Sequence, residues 1–163
     1  MTIAEQVAST RRAVVRLLTL KVGEQTDRPL MQLLVLKNIG IHDIHSQAQI
    51  AERLLIDAPA VSRLVDRLEE DGLVERRAGE NRRCVRLEIT DAGRREIQAL
   101  ELAARWVDAQ AREFLAPPEV EVLSCLLEKL QTGLCQLLGN EPASPPRKDD
   151  PPCGPPSSNN DNG

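Results

Sequence analysis

Aromatic residues are almost absent from this chain of 163 residues, which has one Trp, one Phe and no Tyr. Single-stranded bases and flat cofactors are held by stacking on rings, so that mode of binding is excluded. Histidine is scarce as well, limited to His42 and His45, and the four cysteines, Cys84, Cys125, Cys135 and Cys153, stand too far apart for CxxC ligand pairs. No zinc framework can be read from them, and reduced thiols in a cytosol fit better. No apolar run reaches signal-peptide or membrane length, since Glu5 and the pair Arg11-Arg12 interrupt the first sixteen residues. A cytoplasmic protein with no membrane partner is expected. There is no phosphate-binding glycine loop and no nucleophile paired with a base, so no catalytic residue, cofactor or metal site is assigned and no enzyme is expected.

What the chain does have is 41% hydrophobic and 28% charged residues, enough for one respectable core. From Gly139 onward the composition changes: seven of the eleven prolines fall there, among Ser, Asn and Asp, with almost no apolar residue. Such a stretch cannot recover its ordering entropy, so residues 139–163 are expected to be a disordered Pro-rich tail and residues 1–138 a single domain.

Within that domain, Ile3, Val7, Val14, Leu17 and Leu18 have helical spacing, predicting a helix over 3–21 that ends before Gly23. Pro29 suits the first position of a second, very apolar helix reaching Gly40. Ser46 followed by Gln49 reads as a capping box opening a third helix through Leu55. Asp57 reads as the N-cap of a fourth, in which Val61, Leu64, Val65 and Leu68 recur until Gly72 stops it. Two short helices so joined are a helix-turn-helix. After Gly72 the period changes to two: Leu73 and Val74 lead a strand, Gly79-Glu80-Asn81 turns, and Val85, Leu87 and Ile89 give the returning strand a dry face. Thr90 caps a fifth helix carrying Ile97, Leu100, Ala104, Val107, Ala111 and Phe114, broken by Pro117-Pro118. A last helix bears a stripe of Leu123, Leu127, Leu130, Leu134, Leu137 and Leu138 that one chain of this size cannot cover, so the terminal helices are expected to dimerise.

A helix-turn-helix followed by a hairpin is a winged helix, mainly α with a small β-hairpin wing, which places one helix in a major groove and the hairpin at the neighbouring minor groove. The charge is distributed accordingly. Residues 76–95 hold seven arginines against three acidic residues, a net +4 inside a chain whose total is -4. Any small-molecule cleft in so ring-poor a chain should be aliphatic, with arginine or histidine at its edge.

Residues 47–90, from QAQIAERLLIDAPAVSRLVDRLEEDGLVERR to NRRCVRLEIT, resemble the winged helix of the MarR family of bacterial transcription regulators. The resemblance implies an obligate dimer with interlocking terminal helices (about 3–22 and 91–138) around a DNA-binding lobe (about 30–90), a minor-groove arginine in each wing, and release of DNA on a small-molecule or oxidative signal. Carried onto this chain, the recognition helix is 58–71. The DNA-binding candidates are Ser46 and Gln47 at the start of the third helix, Ala60, Ser62, Arg63 and Arg67 on the recognition helix, and Arg82, Arg83 and Arg86 on the wing. Arginine bonds guanine or phosphate and serine bonds phosphate, which suits the task. The plainer alternative for Arg63 and Arg67 is a solvated helix face, and Arg67 can instead tie the helix to the wing. The family's wing aspartate is replaced by Asn81, which can bond Arg83 but adds no charge to hold it. Leu55 stands where a turn glycine is common, so a differently shaped turn is expected.

Effector or redox candidates are Cys84, His42, His45, Arg12 and Arg16. Cys84 lies among wing arginines that favour its thiolate; an exposed, unreactive thiol is the plainer reading and an oxidation switch the other. His42 and His45 border the family's effector cleft, where loop histidines more often cap helices than bind metal. Arg12 and Arg16, with Arg11, can attract an anionic effector or simply be solvated; a small anionic or apolar effector is the partner class expected besides DNA. Cys125 and Cys135 are about 15 Å apart along one helix, which excludes a bond between them within one chain. The leading expectation is a homodimeric repressor of double-stranded operator DNA; the alternative is a winged-helix protein-interaction module that has lost DNA binding.

Overall fold

A computed structural model describes residues 1–79 and 85–138. The expected wing turn at Glu80-Asn81, the candidates Arg82, Arg83 and Cys84, and the Pro-rich tail lie outside the described residues. The order is α1 (Ile3–Gly23), α2 (Leu30–Gly40), α3 (Gln47–Leu54), α4 (Ala58–Glu70), β1 (Val74–Ala78), β2 (Val85–Ile89), α5 (Asp91–Arg112) and α6 (Pro117–Leu137). This is the expected mainly α winged helix with a two-stranded antiparallel wing. No helix among the described residues is long and apolar enough to cross a membrane.

Short polar side chains set the helix starts. Thr2 accepts from the Glu5 amide and Glu5 accepts back from the Thr2 amide, a complete capping box before α1. Asp57 accepts from the Ala60 amide at 2.6 Å and Thr90 from the Gly93 amide at 3.1 Å, each satisfying a first-turn donor that the helix leaves open. Gly72, with φ +70°, turns the chain out of α4.

The core is built where these helices meet the base of the hairpin. Leu33, Leu36 and Ile39 of α2, Ile50 of α3, and Val61, Val65 and Leu68 of α4 are buried together with Leu73, Val74, Leu87, Ile97 and Leu100. In the hairpin, Val74 faces Ile89, Arg76 faces Leu87 and Ala78 faces Val85. A further backbone bond, from the Leu87 amide to the His45 carbonyl, ties β2 to the α2–α3 loop. The amino end of α5 is pressed against the chain entering β1. A Cβ on Gly93 would lie 2.3 Å from the Leu73 carbonyl oxygen, so only glycine fits.

Several local expectations are corrected. α1 continues through Gly23, and Pro29 is the N-cap of α2 rather than its first helical residue. Ser46 does precede α3, but its side chain makes no cap bond and Gln49 closes no box. Leu55 takes the left-handed conformation, φ 54°, so the turn keeps its usual shape without a glycine. The dry face of the wing is confined to its base: Leu87 is buried, whereas Val85 is 57% exposed. On α5 the buried positions are Gly93, Ile97, Leu100, Ala103 and Val107; Ala104 is half-buried and Phe114, beyond the helix end at Arg112, is 86% exposed. Pro117 and Pro118 open α6 rather than only ending α5, consistent with proline's fit to a first helical turn.

Candidate nucleic-acid interface

Helix α4 divides cleanly into two faces. Val61, Val65 and Leu68 point into the core, which leaves Arg63, Asp66, Arg67, Glu69 and Glu70 exposed on the other side and Ser62 half-buried between them. Arg63 makes no ion pair among the described residues, so its guanidinium is available to a ligand. Arg67 instead turns back along its own helix, 3.4 Å from Glu70 and 3.7 Å from Asp71. These are exposed pairs of small net value, which a phosphate can replace. Ala60 is half-buried at the capped start of α4, and Ser46 and Gln47 are half-buried at the start of α3. The start of α3, where Ser46 makes no side-chain cap bond, leaves first-turn N–H groups open as phosphate contacts require, whereas at α4 the Ala60 amide is already taken by Asp57 and Pro59 has none.

The side chain that ties the hairpin to α4 is Arg76, not Arg67. Its guanidinium bonds both Asp66 and Glu69, and its amide is 3.4 Å from Glu69 Oε1. The Asp66 bond first, and Glu69 after it, push the Arg76 pKa up. A period-two signal could have found it. Val74, Arg76 and Ala78 share one strand face, and Arg76 falls where that face leaves the core and meets the i, i+3 carboxylates of α4. On the other face, Arg77 lies 3.1 Å from both Glu75 and Glu88, and these acids, Glu75 first, push its pKa up.

Arg28 is a second tie that the sequence did not single out. It bonds Asp71 Oδ2 and Gln32 Oε1, each at 2.8 Å, and its Nε lies 3.6 Å from Glu96 of α5. The carboxyl end of α4 is thus anchored both to the α1–α2 loop and to α5. The Arg28 bond holds the Asp71 carboxyl below the usual range, offsetting the poor placement of an acid at a helix carboxyl end.

The two histidines play separate parts. His45 packs against the wing: its Nδ1 is 2.6 Å from the Leu87 carbonyl oxygen, and its Nε2 is 2.7 Å from Asp43 Oδ1 and 2.8 Å from Arg86 Nη2. Arg86 is consequently joined to His45 as well as lying 3.8 Å from Glu88. His42 is half-buried, and its pKa is lowered by that burial and then by the charges of Arg53 and Lys37. No group of three or more potential metal ligands occurs among the described residues. Arg12 and Arg16 are exposed along α1, apart from these contacts.

Residues 26–83 match the model of the MarR family. Among solved structures, wild-type MarR from E. coli in its apo form is 25% identical with a TM-score of 0.72, covering 80% of this chain and 97% of that one. A cysteine-to-serine mutant of E. coli MarR complexed with operator DNA is 25% identical with a TM-score of 0.66, over 78% of this chain and 92% of the other. A probable transcriptional regulator from Pseudomonas aeruginosa is 26% identical with a TM-score of 0.63, over 79% and 96%. The matched segment contains the recognition helix and the first wing strand, and in the helix order around the hairpin this chain has the winged-helix fold of the MarR proteins it resembles.

Proposed function

We propose that the chain is a homodimeric, sequence-specific double-stranded DNA-binding transcriptional regulator of a bacterial cytoplasm, acting as a repressor that a small molecule or an oxidant relieves. The observation that carries this reading is the combination of a free Arg63 on the exposed face of α4 with a wing region of net +4 in an acidic chain. Ser46, Gln47, Ala60, Ser62, Arg63 and Arg67 meet the major groove and its phosphates, while Arg82, Arg83 and Arg86 serve the wing. Within residues 1–138, the lobe at about 30–90 reads DNA, and helices at about 3–22 and 91–138 pair two copies, spacing the recognition helices about 34 Å apart on a pseudo-palindrome. A relative crystallised with operator DNA supports the same use of this fold.

A protein-interaction module that had lost DNA binding would have no use for the wing arginines, which this chain keeps. The test is selection of duplexes from a random-sequence pool by the purified protein, followed by titration of the selected duplex at several salt concentrations. Arg83→Ala should weaken binding and lower the salt slope by about one. Equal binding by wild type and variant at every salt concentration overturns the wing assignment, and selection of no sequence overturns the function.

A further inference from the structure

His45 sits where three partners demand incompatible things of one ring. The Leu87 carbonyl oxygen, 2.6 Å from Nδ1, can only accept, so Nδ1 carries a proton. At Nε2 the demands conflict. Arg86, 2.8 Å away, can only donate and needs the lone pair of a neutral ring, whereas the Asp43 carboxylate, 2.7 Å away, can only accept and needs an N–H. One proton therefore decides which partner is served. Asp43 is held within reach by its own backbone, which has the left-handed φ of 54°.

We propose that His45 is a proton-dependent positioning residue for the wing, holding Arg86 when neutral and releasing it toward DNA when protonated. The inference rests on the DNA-binding reading above. In the neutral ring Nδ1–H donates to Leu87 O and Nε2 accepts from Arg86, which keeps that guanidinium at the base of the wing. A proton on Nε2 moves the bond to Asp43 and places an imidazolium beside the guanidinium, which turns outward. The other charges around this junction are Glu88 of β2, 3.8 Å from Arg86, and Arg77 of β1, 3.1 Å from Glu88; Lys37 of α2 and Arg53 of α3 add positive charge to the same loop near His42. Glu88 has Arg77 as a partner in either state, so it does not by itself retain Arg86. DNA binding is then coupled to proton uptake at His45, and affinity rises as pH falls.

The chain has only two histidines, which makes the test readable. The duplex selected from the random pool is titrated at fixed ionic strength between pH 8 and pH 6. Wild type should tighten about fivefold over that range, a change within the reach of one coupled proton. His45→Gln offers a donor for Leu87 and an acceptor for Arg86, so it should stay at the weaker affinity throughout, and Arg86→Ala should also lose the response. A flat wild-type profile, or an unchanged response in His45→Gln, overturns the proposal while leaving the DNA-binding reading standing. Independently of DNA, nitrogen NMR of the wild-type protein should show Arg86 side-chain signals following the His45 ring titration. Arg86 signals that ignore that titration overturn the coupling whether or not any duplex is bound.

Discussion

Leu55 holds a φ of 54° at the end of α3 with its side chain 84% exposed. A Cβ makes that conformation costly, and almost no packing is gained in return. Leu55→Gly should therefore stabilise the protein by about 1 kcal/mol, read as a higher urea midpoint with unchanged slope. Gly93 is the opposite case. Its missing Cβ would meet the Leu73 carbonyl oxygen at 2.3 Å and Ile89 Cγ1 at 2.7 Å, and a backbone carbonyl cannot step aside as a flexible side chain can. Gly93→Ala should cost about 2–3 kcal/mol in the same urea measurement, as overpacking does. Asp71 makes a pH prediction. Its folded pKa is depressed by the bond from Arg28, so its contribution is present above the unfolded carboxyl value of about 3.9 and is lost as pH falls through the lower folded value. Urea midpoints compared at neutral and acid pH should show a smaller acid loss in Asp71→Asn than in wild type. The residue-level identities of the Asp57 and Thr90 caps were legible in the sequence because a cap is a contact within four residues. The empty cap at Ser46 was not, because the backbone path into α3 decides whether the hydroxyl reaches an amide.

At the scale of elements, the helices and both wing strands could be read from periodicity, since burial on one face imposes a period of 3.6 or 2 whatever lies opposite. How the elements are fastened could not. Arg76 looked like one basic residue among seven between 76 and 95, and only folding shows it spent on Asp66 and Glu69 rather than on a ligand. Because these partners are partly exposed, Arg76→Ala should cost only about 1 kcal/mol of global stability. The hairpin itself should loosen more than that figure suggests, and faster amide exchange in β1 than in α2 would show it. The variant should also weaken DNA binding without changing the salt slope, because no phosphate contact is removed. A reduced slope in Arg76→Ala would mean that this guanidinium leaves its carboxylates to meet DNA.

Across the whole molecule, none of the 21 residues of α6 is buried, although Leu123, Leu127, Leu134 and Leu137 lie along it, and Ile3, Val7, Val14 and Leu20 are exposed on α1. Apolar surface of that extent on two terminal helices is unfavourable in water. If a second copy covers it, the double variant Leu127→Glu/Leu134→Glu should sediment as a monomer and lose affinity for a two-half-site duplex far more than for a single half-site. A variant that remains dimeric would move the interface elsewhere. The sequence by itself determined the winged-helix order, the inward and outward faces of α4, the basic wing and the excess leucine of α6, because each follows from local spacing and composition. Only the tertiary structure decided which charges are free. Arg63 is open, Arg67 is turned along its helix, Arg76 and Arg28 are structural ties, and Arg86 is held by a histidine 41 residues away. Pairing among charges depends on distances of a few ångströms between elements remote in sequence, and no period in the chain encodes those distances.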